Sequence, residues 1–505
     1  MSRCDAYRYT VAYVLVFCCM AWVNGYDQWL GLPPVGIHQW RQADGAAIAW
    51  HYSQNPSFSE IRVCNLFSSG DGHAAGEFPL LYWLSGLTTR YFNYPVFPLR
   101  WIGLLLQFAG VWAFGWTVLQ VCQRPSIAVL ISGLLLTAPI FAYYGPCFLP
   151  DAPAFCLILM MLACLYHARQ RNSLRWLWTA VFCASLAVSL KISMAIAPLA
   201  IVMAWGAGRW KGRERPDATW SRAQVAAALA GWTVLVLSCY GWLSDYNARH
   251  HAIYFLATTR PVWNYDASFI LETFGMIGRR GLPAYASVGL YLACAGSLRL
   301  IFKNRKTISF FEKNLIGWSA LGGVAYFLLW FRMFREHDYY ALSLMVLPAI
   351  WLIAGVRLAR SLYREKTLVY ALGLCLVAGA VHSHLILSKR LHQAFYPETD
   401  LNLPPDAFLE EGALEKLGIP GAARFLCPQD PSPNIALYAL RRNGWTAWNF
   451  GDRITADTLQ KYRTKFDLTH LALRDTALYS PLYEQFFPLK ISQIKGWHLY
   501  AGPEK

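Results

Sequence analysis

The stretch GIHQWRQADGAA, residues 36–47, follows an apolar run long enough to cross a bilayer and sets His38, Arg41, Gln42 and Asp44 within seven positions. A carboxylate can take a proton from a hydroxyl, and a guanidinium can hold a phosphate through paired hydrogen bonds. Other stretches place ionisable groups in the same way beside apolar runs: Glu77 in GEFPLLYWL, Asp151 in GPCFLPDAPAF, Lys191 in AVSLKISMAIAPLA, and Arg335, His337, Asp338, Tyr339 and Tyr340 in FREHDYYALSLMVLP. NARHHAIYFL adds His250 and His251. Each also has a plainer reading. Asp44 and Asp151 suit helix N-caps, Glu77 suits a helix start with Pro79 in the first turn, and His337 with Asp338 suits a solvated cap. Lys191 can snorkel, the tyrosines suit an interfacial belt, and each lone histidine suits a surface.

The elements that carry these groups are apolar. Of 505 residues 56% are hydrophobic and 15% charged, against about 25% charged in soluble domains, so lipid is the expected solvent. About eleven runs match the thickness of a bilayer, near 9–30, 99–121, 126–144, 150–166, 175–190, 192–207, 224–243, 284–302, 315–331, 340–357 and 368–388. With the N-terminus cytoplasmic, the short loops on that side hold the larger share of Lys and Arg, as the positive-inside rule requires. The net charge of +16 is then topological and calls for no nucleic acid. That orientation puts every polar candidate at one face, the outer one, and the C-terminus outside.

The thirteen cysteines lie mostly inside the runs without a CxxC pair, so no disulfide framework or cysteine zinc site is expected. The first run is long and lacks a small-x-small cleavage site, which makes it a retained helix. Three outer segments are too polar to span: a first loop over 31–98, a second over about 244–283, and the tail. In the tail, AARFLC and LTHLALRD read as strands and SPNIALYALRRNG as a short helix ending on Arg-Arg-Asn-Gly, which gives a small α/β domain covering the membrane part. Trp40 and Trp50 are expected to pack the first loop on the lipid surface. No Gly-rich nucleotide loop is present.

Carboxylates and cations at a lipid boundary suit a substrate with a phosphate head and a lipid tail. Phosphate is already a good leaving group, so moving a sugar from it needs a base for the incoming hydroxyl and cations for the departing charge. Asp44 is the candidate base and Lys191 the candidate phosphate clamp.

The order HQWRQAD, GEFPLLYWL, PLRWIGLLL and PDAPAF resembles the GT-C glycosyltransferases of the protein O-mannosyltransferase and lipid A aminoarabinose transferase type, over about residues 1–390. The resemblance implies an α-helical polytopic GT-C fold over 1–390, with a small α/β extracytoplasmic domain over 391–505. It also implies inverting transfer of a sugar from a polyprenyl-phosphate donor to a hydroxyl of a lipid, glycan or protein. It further implies the periplasmic face of a bacterial inner membrane, and a divalent metal as an optional cofactor. By resemblance Asp44 matches the first-loop acid, Glu77 the acid before Pro, Asp151 the acid opening the fourth span, Lys191 a phosphate-contacting lysine and Tyr340 an aromatic group at the donor phosphate. Arg41 and His337 join Glu77, Asp151, Lys191 and Tyr340 as substrate-binding candidates, and Glu77, His250 and His251 are the metal candidates. Phe78 stands where many relatives have Lys or Pro, and Arg41 is the residue able to supply the missing charge. The competing readings are a transporter or flippase of a lipid-linked sugar, and a membrane scaffold.

Overall fold

Backbone polar groups in hydrocarbon must be satisfied within the chain, by helices or a closed barrel, and the apolar runs here are helices. The computed structural model describes residues 3–92, 98–210, 221–252, 259–391, 401–451 and 453–503. Each expected run falls on helix. Among the described residues six helices are by themselves long and apolar enough to cross a membrane: Cys4–Val23, Pro98–Cys122, Asp151–Arg171, Ala223–Arg249, Asp338–Leu362 and Glu365–Arg390. Ala267–Tyr285 with Val288–Lys303, bent by 94°, makes a further candidate span. Pro125–Leu136, Leu174–Leu190 and Ile192–Gly208 are shorter apolar helices. The run over 126–144 is two helices, Pro125–Leu136 and Pro139–Tyr144, because Pro139 has no N–H to continue the ladder.

The first polar loop contains two helices, Gln39–Gln54 and Leu80–Phe92, packed on each other. Arg100 of PLRWIGLLL anchors the start of this loop. It is 1% exposed, and its guanidinium donates to the carbonyls of Leu32 (2.9 Å), Pro33 (2.8 Å) and Pro146 (2.9 Å). Helix Gln39–Gln54 is held by its own glutamines: Gln42 donates to the carbonyls of Val35 and Ile37, and Gln39 to those of Pro34 and Leu403. A Cβ at Gly45 would lie 2.3 Å from the Phe148 carbonyl oxygen. The residue after Asp44 must therefore be small for the helix to reach the turn before Asp151.

The tail is an α/β domain with a five-stranded sheet, β1 Arg424–Cys427, β2 Asn443–Thr446, β3 Leu468–Leu473, β4 Leu489–Ile494 and β5 Trp497–Ala501, in the order β2-β1-β3-β5-β4. β1 runs parallel to β2 and β3, and β5 antiparallel to β3 and β4. The expected strands and helix are present, with one correction. Helix Ile435–Leu440 stops at Arg441, which is left-handed at φ 54°. Asn443 and Gly444, expected to end that helix, instead open β2. The domain does cover the first loop: Asn65 bridges to Gly444, and Gly444 donates to the Cys64 carbonyl at 3.1 Å and accepts from Leu66 N–H at 2.9 Å. Trp50 donates to Glu411 of the tail at 3.0 Å, so its polar edge meets that domain and not the lipid surface.

Candidate active site

Asp44 sits in the second turn of helix Gln39–Gln54, so it is not an N-cap. Arg41 is three residues earlier, a spacing that puts both side chains on one helix face. The Arg41 guanidinium pairs with Glu77, and the Tyr82 hydroxyl donates to the same Glu77 oxygen. Burial works against the Arg41 charge, and Glu77, Tyr82 and Asp44 together outweigh it, holding its pKa above the usual value. Glu77 lies ahead of helix Leu80–Phe92 and is spent on Arg41, not on capping.

Lys191 ends helix Leu174–Leu190. Its ammonium is 2.8 Å from Asp151, which opens helix Asp151–Arg171 and is 1% exposed. The rings of Tyr340 and Tyr339 lie 4.3 and 5.2 Å from the same nitrogen, within cation–π range. Lys191 is therefore held by partners and does not snorkel loosely. His337 stacks on Tyr339 and Tyr340. Burial, then the neighbouring His38, Lys191 and Arg41, push it down to about 3. It is a neutral hydrogen-bonding group and supplies no positive charge.

Asp338, expected at a solvated cap, is 3% exposed. It accepts from the Tyr144 hydroxyl (2.6 Å) and from Arg390 (2.6 Å) and lies 3.3 Å from His38. Arg390 ends the last long helix, so this cluster ties four elements together. Sequence reasoning missed Arg390 and Tyr144, which carry no local signal. It also missed Asn434, whose amide donates to Asp44 at 2.7 Å. Asn434 follows β1 in the segment DPSPN, and loops at the carboxyl ends of parallel strands are where such domains present ligand groups.

Asp44, Arg41, Glu77, Lys191, His337 and Tyr340 all line one cavity of about 830 Å³. Asn402 and Ser432 of the tail close its far wall, and Trp40 is in the wall also, not on lipid. Asp151 is behind Lys191 and is not a wall residue. Neither His250 nor His251 lines it. Among the described residues the one group able to hold a metal is Asp71, His73 and His250; Glu77 is not in it, and His251 is exposed outside it.

Residues 73–236 match the family described as dolichyl-phosphate-mannose-protein mannosyltransferase. The whole chain is similar in structure to ArnT from Cupriavidus metallidurans, with TM-score 0.63 and 12% identity over 98% of this chain and 100% of that one. The same holds for ArnT bound to undecaprenyl phosphate, over 97% and 99%. The chain has the GT-C glycosyltransferase fold. Further GT-C structures align with it: the archaeal oligosaccharyltransferase AglB from Archaeoglobus fulgidus, in complex with an inhibitory peptide and a dolichol-phosphate, at TM-score 0.57 and 12% identity over 95% of this chain and 71% of that one. Arabinofuranosyltransferase AftD from Mycobacteria aligns at 0.56 and 14% over 100% and 42%. No curated protein matches.

Proposed function

We propose that this GT-C protein is an inverting glycosyltransferase that moves a sugar from a polyprenyl phosphate to a hydroxyl of a lipid, glycan or protein, at the periplasmic face of a bacterial inner membrane. The observation that carries the reading is the single cavity shared by Asp44, Arg41, Lys191 and Tyr340. Its chemistry follows from their types. Asp44 takes the acceptor proton as the acceptor oxygen attacks the anomeric carbon. The bond from that carbon to the phosphate oxygen breaks, and its electron pair leaves with the phosphate. Lys191, held over Tyr340, and Arg41 receive the charge that develops on that oxygen. Asp151 keeps Lys191 in place, and neutral His337 can hydrogen-bond the sugar or the phosphate. ArnT with undecaprenyl phosphate and AglB with dolichol-phosphate support a lipid-phosphate donor.

The test is release of polyprenyl phosphate from a mixed pool of lipid-phosphate sugars by purified protein in detergent. Wild type is expected to release it and Asp44→Asn not to, at equal expression. Equal release by both removes Asp44 as the base, and donor movement across liposomes without consumption replaces the enzyme with a flippase.

A further inference from the structure

Asp44 stands at a boundary in the cavity wall. Helix Gln39–Gln54 turns by about 100° per residue, so Trp40 lies about 40° to one side of Asp44 and Arg41 about 60° to the other. Arg41 turns to Glu77. Trp40 is on the side of Gln39, whose amide donates to the Leu403 carbonyl of the tail and accepts from the Leu403 N–H, each at 2.7 Å. The two sides differ in charge. The cations of the wall, Arg41, Lys191, Arg260, Arg332 and Arg335, all precede the tail. The tail contributes Leu401, Asn402, Pro431, Ser432 and Ile435, and among the described residues none of its wall groups is charged. Its contact with Asp44 is also neutral, the amide of Asn434.

We propose that the acceptor is an uncharged sugar, its ring laid on Trp40 and one of its hydroxyls turned to Asp44, an assignment that rests on the transfer reading above. Trp40 is half-buried, packs against the core and borders the cavity. An indole offers a wide, rigid apolar face. A sugar ring presents C–H bonds on its faces and hydroxyls at its edge, so it can stack while an edge hydroxyl meets the exposed amide of Asn402, which both donates and accepts. A serine or threonine side chain of a peptide has no such face to lay on the ring. A phosphate fits this side of the cavity less well on two counts. Its charge would leave water beside the Asp44 carboxylate, with no cation of the tail to offset the desolvation. It also has little use for a base. With a second pKa of about 6 a phosphate monoester is largely deprotonated at neutral pH, whereas a sugar hydroxyl keeps its proton until it attacks. Asp44 takes that proton as the acceptor oxygen bonds to the anomeric carbon of the donor sugar, and the electron pair of the broken C–O bond leaves with the donor phosphate.

The test uses the full-length protein in a detergent without a sugar head, with a mixed pool of polyprenyl-phosphate sugars as donor. The acceptor probes are short-chain alkyl glycosides of neutral hexoses, the same glycosides carrying a phosphate, and serine- and threonine-containing peptides, with products read by mass spectrometry. Wild type is expected to extend the neutral glycosides fastest; an equal or faster rate on the phosphorylated glycosides or the peptides overturns the proposal. Trp40→Ala is expected to raise KM for the neutral acceptor roughly tenfold with KM for the donor unchanged, and Trp40→Phe to recover most of the loss. An acceptor KM that does not move in Trp40→Ala overturns the role of the indole. Absence of polyprenyl phosphate release with every probe sinks the transfer reading itself. Saturation-transfer NMR of the neutral glycosides then decides the sugar site separately: a signal in wild type that weakens in Trp40→Ala supports it, and a signal absent from wild type or equal in the two proteins overturns it.

Discussion

Asn434 is 0% exposed and 390 positions from the carboxylate it touches. Its Nδ2 donates to Asp44 Oδ1 at 2.7 Å and its Oδ1 accepts from Asn65 N–H at 3.0 Å. Because that side chain is fully engaged, the following helix is capped by others: Ser432 accepts from Ile435 N–H and Asp430 from Ala436 N–H. Asn434→Ala removes a hydrogen bond to a charged group, a contribution of about 1.5–3 kcal/mol. If that bond orients Asp44 during proton transfer, turnover is expected to fall by roughly tenfold to 150-fold at about 1.36 kcal/mol per decade. KM for the lipid donor should change little, since Asn434 does not touch the Lys191 side of the cavity. The assay is steady-state release of polyprenyl phosphate across pH, with thermal unfolding in detergent as a control. Asn434→Asp separates orientation from mere packing: a second carboxylate beside Asp44 disfavours its ionised form, so the acid limb of the pH–rate profile moves to higher pH. If both variants keep the wild-type turnover and acid limb, the tail does not set the base and the reasoning fails.

Lys191→Met leaves Asp151, at 1% exposure, buried without its cation, and breaking such a pair costs about 3–5 kcal/mol. Adding Asp151→Asn is expected to restore much of the unfolding temperature but none of the transfer activity; recovery of activity would remove Lys191 as the phosphate clamp. Burial pushes Asp430 up to about 7, against hydrogen bonds from Ala436 N–H and Ser432 that pull it down. A carboxyl raised from 3.8 to about 7 on folding contributes stability that is complete below pH 3.8 and is lost as pH rises through 7, in all about 4 kcal/mol at 1.36 per unit. The protection of amides over residues 428–440, taken relative to the intrinsic exchange rate at each pH, should therefore fall between about pH 4 and 7, and Asp430→Asn should remove that fall; protection that stays constant over this range in wild type contradicts it.

Much of the fold is written locally. Apolar runs of bilayer length become helices because lipid offers their backbone no other partner, and strand and turn chemistry marks the tail domain. The break at Pro139, inside what reads as one run over 126–144, comes from a single residue without an N–H. Asp44, Glu77, Arg41, Lys191 and Tyr340 stood out because a charge or a polar ring at the edge of an apolar run has a desolvation cost that needs a reason.

What no local pattern could show is which of these groups meet. Arg41 with Glu77, Lys191 with Asp151, and Asp338 with Arg390 pair across 36, 40 and 52 positions, and the tail reaches Asp44 across 390. Residue type alone determined that the chain has helices long and apolar enough to cross a membrane and carries acids and cations at the edges of its apolar runs. Only the tertiary structure decided that Glu77 answers Arg41, that Asp151 lies behind Lys191, and that His250 turns away from the cavity toward Asp71. A side chain's charge belongs to the sequence, whereas its partner is chosen by helices packed from distant parts of the chain, which leave each buried charge the neighbours able to compensate it.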